Sequence, residues 1–134
     1  IRPSESGISQ PIIFGLGHGI AEALIVLLPA LSVVPVSQLG LAFFERALAI
    51  ILHVTLTIVV WNGFQKKQKA LYLFIAVVIH GFVNSLIPAL SSFPNSVILI
   101  EGALAIVVTL MIIYSYYSRK YYVRGGNRYE EIKT

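Results

Sequence analysis

Four polar residues interrupt stretches of the chain that are otherwise apolar: Glu22, His53, His80 and Asn84. A carboxylate in an apolar site can act as a general base that takes a proton from water. Imidazole rings and an amide can orient that water and donate hydrogen bonds to an oxyanion, an effect worth roughly 3 to 4 kcal/mol per donor in a soluble protease. The four residues are therefore candidate catalytic residues for hydrolysis of a peptide bond.

The same residue types permit a second chemistry, based on a metal ion. Glu22, His53 and His80 offer three oxygen or nitrogen ligands, and three such ligands with an open fourth position are typical of catalytic zinc sites. The pattern does not distinguish a hydrolase without a cofactor from a zinc enzyme. Supporting residues in either case would be His18, one helical turn before Glu22, together with Glu45 and Arg46.

The elements that carry these residues have the composition of membrane spans. The chain has 134 residues, of which 57% are hydrophobic and 12% charged, and its mean hydropathy is +0.82. A transmembrane helix needs about 20 mostly apolar residues. Four segments meet this requirement, near 11–33, 41–62, 69–90 and 96–118. We therefore predict an all-α, multi-pass membrane helix bundle.

The charged residues outside the spans predict the topology. Basic residues lie between the second and third spans and after the fourth: Lys66, Lys67, Lys69, Arg119, Lys120, Arg124, Arg128 and Lys133. The positive-inside rule then places both chain ends in the cytoplasm, with the protein in the cell membrane. We expect a polar segment 1–10, a four-helix transmembrane domain 11–118 and a basic cytoplasmic tail 119–134. Asn62 and Gly63 are expected to start the turn between the second and third spans.

Counting residues along the spans places three of the candidates at one depth. At about 1.5 Å per residue from the cytoplasmic ends, Glu22 lies about eleven residues into its span, His53 about nine and His80 about eleven. Asn84 follows His80 by one helical turn and shares its face. Each ionisable group inside a bilayer costs about 3 kcal/mol on insertion scales. Three such groups at the midplane therefore indicate a functional site.

The first span also carries small residues at helical spacing. Gly15, Gly19 and Ala23 are each four residues apart. Such a small-xxx-small series lets another helix backbone approach closely. We therefore expect the first span to pack tightly against a neighbour beside its polar face.

Composition also excludes several classes of function. The chain has no cysteine, so disulfides, thiolate metal sites and cysteine nucleophiles are excluded. Its net charge is +4, but the basic residues flank membrane spans and no nucleic-acid-binding motif accompanies them. The expected partners are the lipid bilayer and either a membrane peptide substrate or other membrane subunits, not nucleic acid.

Three segments, each on a separate span, carry a family resemblance. They are GHGIAEA (17–23), FERALAIILH (44–53) and HGFVN (80–84). Together they resemble the YhfC family of intramembrane proteases, in the superfamily of CAAX prenyl proteases and bacteriocin-processing proteins, over roughly residues 12–110. The resemblance implies proteolysis inside the membrane by a glutamate assisted by histidines and an asparagine, which correspond to Glu22, His53, His80 and Asn84.

The chain departs from that superfamily in two ways. CAAX proteases carry adjacent glutamates followed by arginine on the first motif helix, whereas Ala21 precedes Glu22 here and the pair Glu45-Arg46 lies on the next span. The family is also normally longer, so the chain is expected to be its C-terminal part or a reduced relative.

Three other functions remain open on the sequence. The superfamily includes a gamma-secretase subunit that is not the catalytic one, so the chain could be a non-catalytic structural subunit of a membrane complex. His53 and His80 at one depth could ligate haem or a metal. Midplane carboxylates and histidines also occur in proton-coupled transporters.

Overall fold

The chain forms four long helices. The computed structural model describes residues 7–122, so the expected basic tail beyond residue 122 and residues 1–6 lie outside the described part. The helices are α1 Ser9–Val33, α2 Gly40–Gln65, α3 Lys69–Leu90 and α4 Ser96–Ser118. All four are long and apolar enough to cross a membrane, and residues 7–122 contain no strand. The predicted all-α membrane bundle is confirmed.

The helix ends differ from the expected spans by more than one residue at two places. α1 begins at Ser9, inside the segment 1–10 that was expected to precede the helices. α2 continues to Gln65, and both Asn62 and Gly63 are buried within it. The expectation that these two residues start a turn is therefore wrong, because a polar residue that finds buried partners can remain in a helix.

α2 lies at the centre of the bundle. It packs against the other three helices, whereas α1 packs mainly on α2, and α3 and α4 also pack on each other. The buried apolar core joins α2, α3 and α4 through Leu52, Leu56, Val59, Ala76, Val83, Leu104, Val108 and Met111. The outward faces carry many exposed large apolar side chains, which suits a lipid environment.

Aromatic contacts show which helix ends lie together. The rings of Phe14, near the start of α1, and Trp61, near the end of α2, stack with centroids 5.3 Å apart. The hydroxyl of Tyr122, after α4, donates to Oδ1 of Asn62 at 2.8 Å. The start of α1 and the ends of α2 and α4 therefore share one end of the bundle. The assignment of this end to the cytoplasm stays a prediction, based on its lysines.

Candidate active site

Two glycines bring the polar face of α1 against α2. A Cβ at Gly15 would lie 2.5 Å from Cα of Val54, and a Cβ at Gly19 would lie 2.9 Å from Cα of Ile50. Carbon atoms in contact are about 3.5 to 4.0 Å apart, so any larger residue would push the helices apart. The close approach expected from the small-residue series is confirmed, and it brings α1 side chains within reach of His53.

Glu22 of α1 meets two residues of α2. Its Oε2 lies 3.0 Å from Nε2 of His53, and its Oε1 lies 3.6 Å from Nη1 of Arg46. His53 is buried, whereas about a third of the Glu22 side chain is exposed. Arg46 also forms an ion pair with its neighbour Glu45. The site therefore holds two carboxylates around one guanidinium, with an imidazole on the other side of the Glu22 carboxylate.

Two further histidines surround His53. The ring centroid of His18 lies 4.5 Å from that of His53, and the centroid of His80 lies 5.1 Å from it. Nδ2 of Asn84 lies 3.1 Å from Nε2 of His80. In the His80 tautomer that carries its proton on Nδ1, Nε2 accepts this hydrogen bond from the Asn84 amide. In that tautomer, Nδ1 of His80 is a donor for another group.

A small cavity lies among these side chains and is lined by all of them except His18. Its volume is about 30 Å³, which is enough for one or two water molecules. Polar side chains of α1, α2 and α3 line it, and Leu104 of α4 contributes to its apolar wall. The polar lining residues are Glu22, Glu45, Arg46, His53, His80 and Asn84. Water can therefore reach the Glu22 carboxylate next to the histidines.

One group of side chains near this cavity suits a metal ion. Ligand atoms of His18, Glu22 and His53 all lie within 4.8 Å of one another. Zinc binds such nitrogen and oxygen atoms at about 2.0 to 2.2 Å, so two ligands of one ion lie at most about 4 Å apart. The residues therefore nearly match the ligand geometry of zinc and have the right donor chemistry.

The structure brings together all seven sequence-predicted site residues, but in a different grouping. His80, expected as a third metal ligand, pairs with Asn84. His18, expected as a supporting residue, instead forms a compact donor group with Glu22 and His53. The contact of Arg46 with Glu22 was not foreseen. The only sequence signal for it is the seven-residue spacing of Arg46 and His53, which places both on one face of α2.

Comparison with known proteins gives a family for most of the chain. The sequence pattern of the YhfC intramembrane metalloprotease family matches residues 26–108, a shorter range than the expected 12–110. Searches of curated proteins and of solved structures gave no match. The matched range includes α2, α3 and half of α4, whereas His18 and Glu22 precede it, so their place in the site rests on the geometry. Since the match covers more than half of the 134 residues, the chain belongs to the YhfC intramembrane metalloprotease family.

Proposed function

We propose that this protein cleaves a membrane-embedded or lipidated peptide by using Glu22 to activate a water molecule. The observation that carries the proposal is the contact of Glu22 with His53 beside a cavity large enough for water. Membership of an intramembrane metalloprotease family supports proteolysis in the membrane. The high cost of ionisable groups in a bilayer also argues against a purely incidental cluster on three helices.

Each residue of the site has a task in this reaction. Glu22 takes a proton from the attacking water, while His53 donates from Nε2 to Oε2 and holds the carboxylate in place. The water oxygen attacks the peptide carbonyl carbon, and the resulting oxyanion accepts a hydrogen bond from Nδ1 of His80, whose ring is fixed by Asn84. The carbon–nitrogen bond then breaks, and the proton held by Glu22 passes to the leaving amine.

The donor group fits a divalent metal ion such as zinc. His18, Glu22 and His53 would hold it, since their ligand atoms already lie within 4.8 Å of one another. When bound, such an ion polarises the carbonyl and lowers the pKa of a bound water to about 7. A carboxylate has two oxygens, so Glu22 can bind an ion through one and accept a proton on the other.

The test compares peptide cleavage by the wild type and by Glu22→Gln, which keeps the size of the side chain but removes its charge. Both proteins would be reconstituted with zinc in liposomes that contain a library of tagged transmembrane peptides, and fragments would be identified by mass spectrometry. We expect Glu22→Gln to lose cleavage by about 100-fold or more. The control is Thr109→Val on α4, whose exposed hydroxyl bonds only to the carbonyl of Ala105 in its own helix.

Two results would contradict the proposal. Equal cleavage by Glu22→Gln and wild type would exclude Glu22 as the water-activating residue. Absence of cleavage by a folded, zinc-loaded wild type would favour the alternative function, a non-catalytic structural subunit of a membrane complex.

A further inference from the structure

Arg46 is the one guanidinium placed between the carboxylates of the site. Its Nη1 lies 3.6 Å from Oε1 of Glu22, while its Nη2 pairs with Glu45. Only 14% of the Arg46 side chain is exposed. In the four described helices the only other Lys or Arg is Lys69, at the first residue of α3. Arg46 is therefore the only permanent positive charge inside a described helix rather than at its first residue.

The two oxygens of the Glu22 carboxylate face different residues of α2. Oε2 faces His53 and Oε1 faces Arg46. Because both partners project from one helix, the two contacts together determine the rotation of the carboxylate as well as its position. A planar guanidinium suits this arrangement, since its rigid fork of donors can hold Glu45 on one edge and approach Glu22 with another.

We propose that Arg46 is a positioning residue that orients the Glu22 carboxylate for metal binding. The inference rests on the proposed function, because it treats Glu22 as a ligand together with His18 and His53. Residues that hydrogen-bond or pair with metal ligands fix the orientation of those ligands, and their loss typically weakens metal affinity by about 10- to 100-fold. Glu45 pairs with Nη2 of Arg46, and this second contact holds the guanidinium beside Glu22.

The experiment measures zinc affinity of the purified full chain in detergent, by competition with a chromophoric chelator. We expect zinc affinity to fall about 10- to 100-fold in Arg46→Met and to recover partly in Arg46→Lys, which keeps the charge but loses the fork. Lys69→Met is the matched control, because it removes the other positive charge of the four described helices and Lys69 does not line the site. Circular dichroism and gel filtration report whether each variant folds.

A double-mutant cycle separates positioning from a general effect on the fold. If Arg46 acts through Glu22, adding Arg46→Met to Glu22→Gln will weaken zinc binding no further. Additive losses would show that Arg46 acts elsewhere and would overturn the inference. If Arg46→Met does not fold, Arg46→Lys takes its place in the same cycle.

The remaining outcomes distinguish this inference from the proposed function. Unchanged zinc affinity in Arg46→Met, with weakened affinity in Glu22→Gln, overturns the role of Arg46 and leaves the metal site intact. A wild type that binds no zinc overturns both the metal site and the inference, whereas peptide cleavage by that protein would still support Glu22 as a base.

Discussion

The imidazole rings of His18 and His53 lie 4.5 Å apart between centroids, although they come from different helices. Both belong to the compact donor group with Glu22, whereas His80 hydrogen-bonds to Asn84. We therefore predict that His18→Asn weakens zinc binding by about 100-fold or more, since loss of a ligand costs at least as much as loss of its supporting residue.

The matched variant for this measurement is His80→Asn, and calorimetric titration with zinc provides the affinities. We expect His80→Asn to keep most of the affinity. If His80→Asn lost more zinc affinity than His18→Asn, the ligands would instead be those expected from the sequence, Glu22 with His53 and His80.

Gly19 and Gly17 give a paired test of the packing between α1 and α2. A Cβ at Gly19 would lie 2.9 Å from Cα of Ile50, but nothing lies within 4 Å of a Cβ at Gly17. We predict that Gly19→Ala destabilises the bundle by about 1 to 3 kcal/mol through overpacking and lowers zinc affinity, because Glu22 moves away from His53. Gly17→Ala should leave both quantities nearly unchanged. Thermal unfolding and zinc titration of both variants measure these effects, and similar behaviour of the two would contradict the packing argument.

The sequence predicts the depth of the site residues better than their pairing. Helical rise is constant at about 1.5 Å per residue, so counting correctly placed Glu22 and His53 at one level, where they lie 3.0 Å apart. Which side chains touch at that level depends on the rotation of each helix about its axis. The backbone contacts at Gly15 and Gly19 fix that rotation for α1, and counting residues does not provide their partners.

The error at Asn62 has a similar origin. Asn followed by Gly is a strong turn signal in an isolated stretch of sequence. In the fold, Asn62 is fully buried and Gly63 packs against Tyr72, with a Cβ at Gly63 lying only 2.6 Å from that of Tyr72. The partners of both residues lie outside α2, so local sequence could not reveal them.

Asn62 links α2 to the end of α4, and we predict that Asn62→Leu weakens this link. Its Nδ2 donates to the hydroxyl of Tyr114 at 3.0 Å, and its Oδ1 accepts from the hydroxyl of Tyr122 at 2.8 Å. Loss of both bonds should destabilise the protein by about 1 to 3 kcal/mol. Thermal unfolding measures the effect, with Thr109→Val as a control whose hydroxyl bonds within its own helix.

The same variant should spare the candidate active site. Asn62 lies about 13 Å along α2 from His53, so we expect the zinc affinity of Asn62→Leu to equal that of the wild type. A large loss of affinity would show that the end of α2 at Asn62 is coupled to the middle of the helix at His53.

Zinc itself should stabilise the protein without being required for its fold. An ion that binds only the folded state adds about 2.7 kcal/mol of stability at a concentration 100 times its dissociation constant. The apolar core of α2, α3 and α4 contains none of the proposed ligands, so the helices should persist after chelation. We predict that zinc raises the unfolding temperature by several degrees. A chelator should reverse this shift with no loss of helical circular dichroism, and His18→Asn should abolish the shift.

Magnesium serves as the control ion, because it prefers oxygen ligands and should not bind this histidine-rich group. A zinc-independent unfolding temperature would contradict the metal site, and loss of helicity on chelation would show that the ion, rather than the core, holds the helices together.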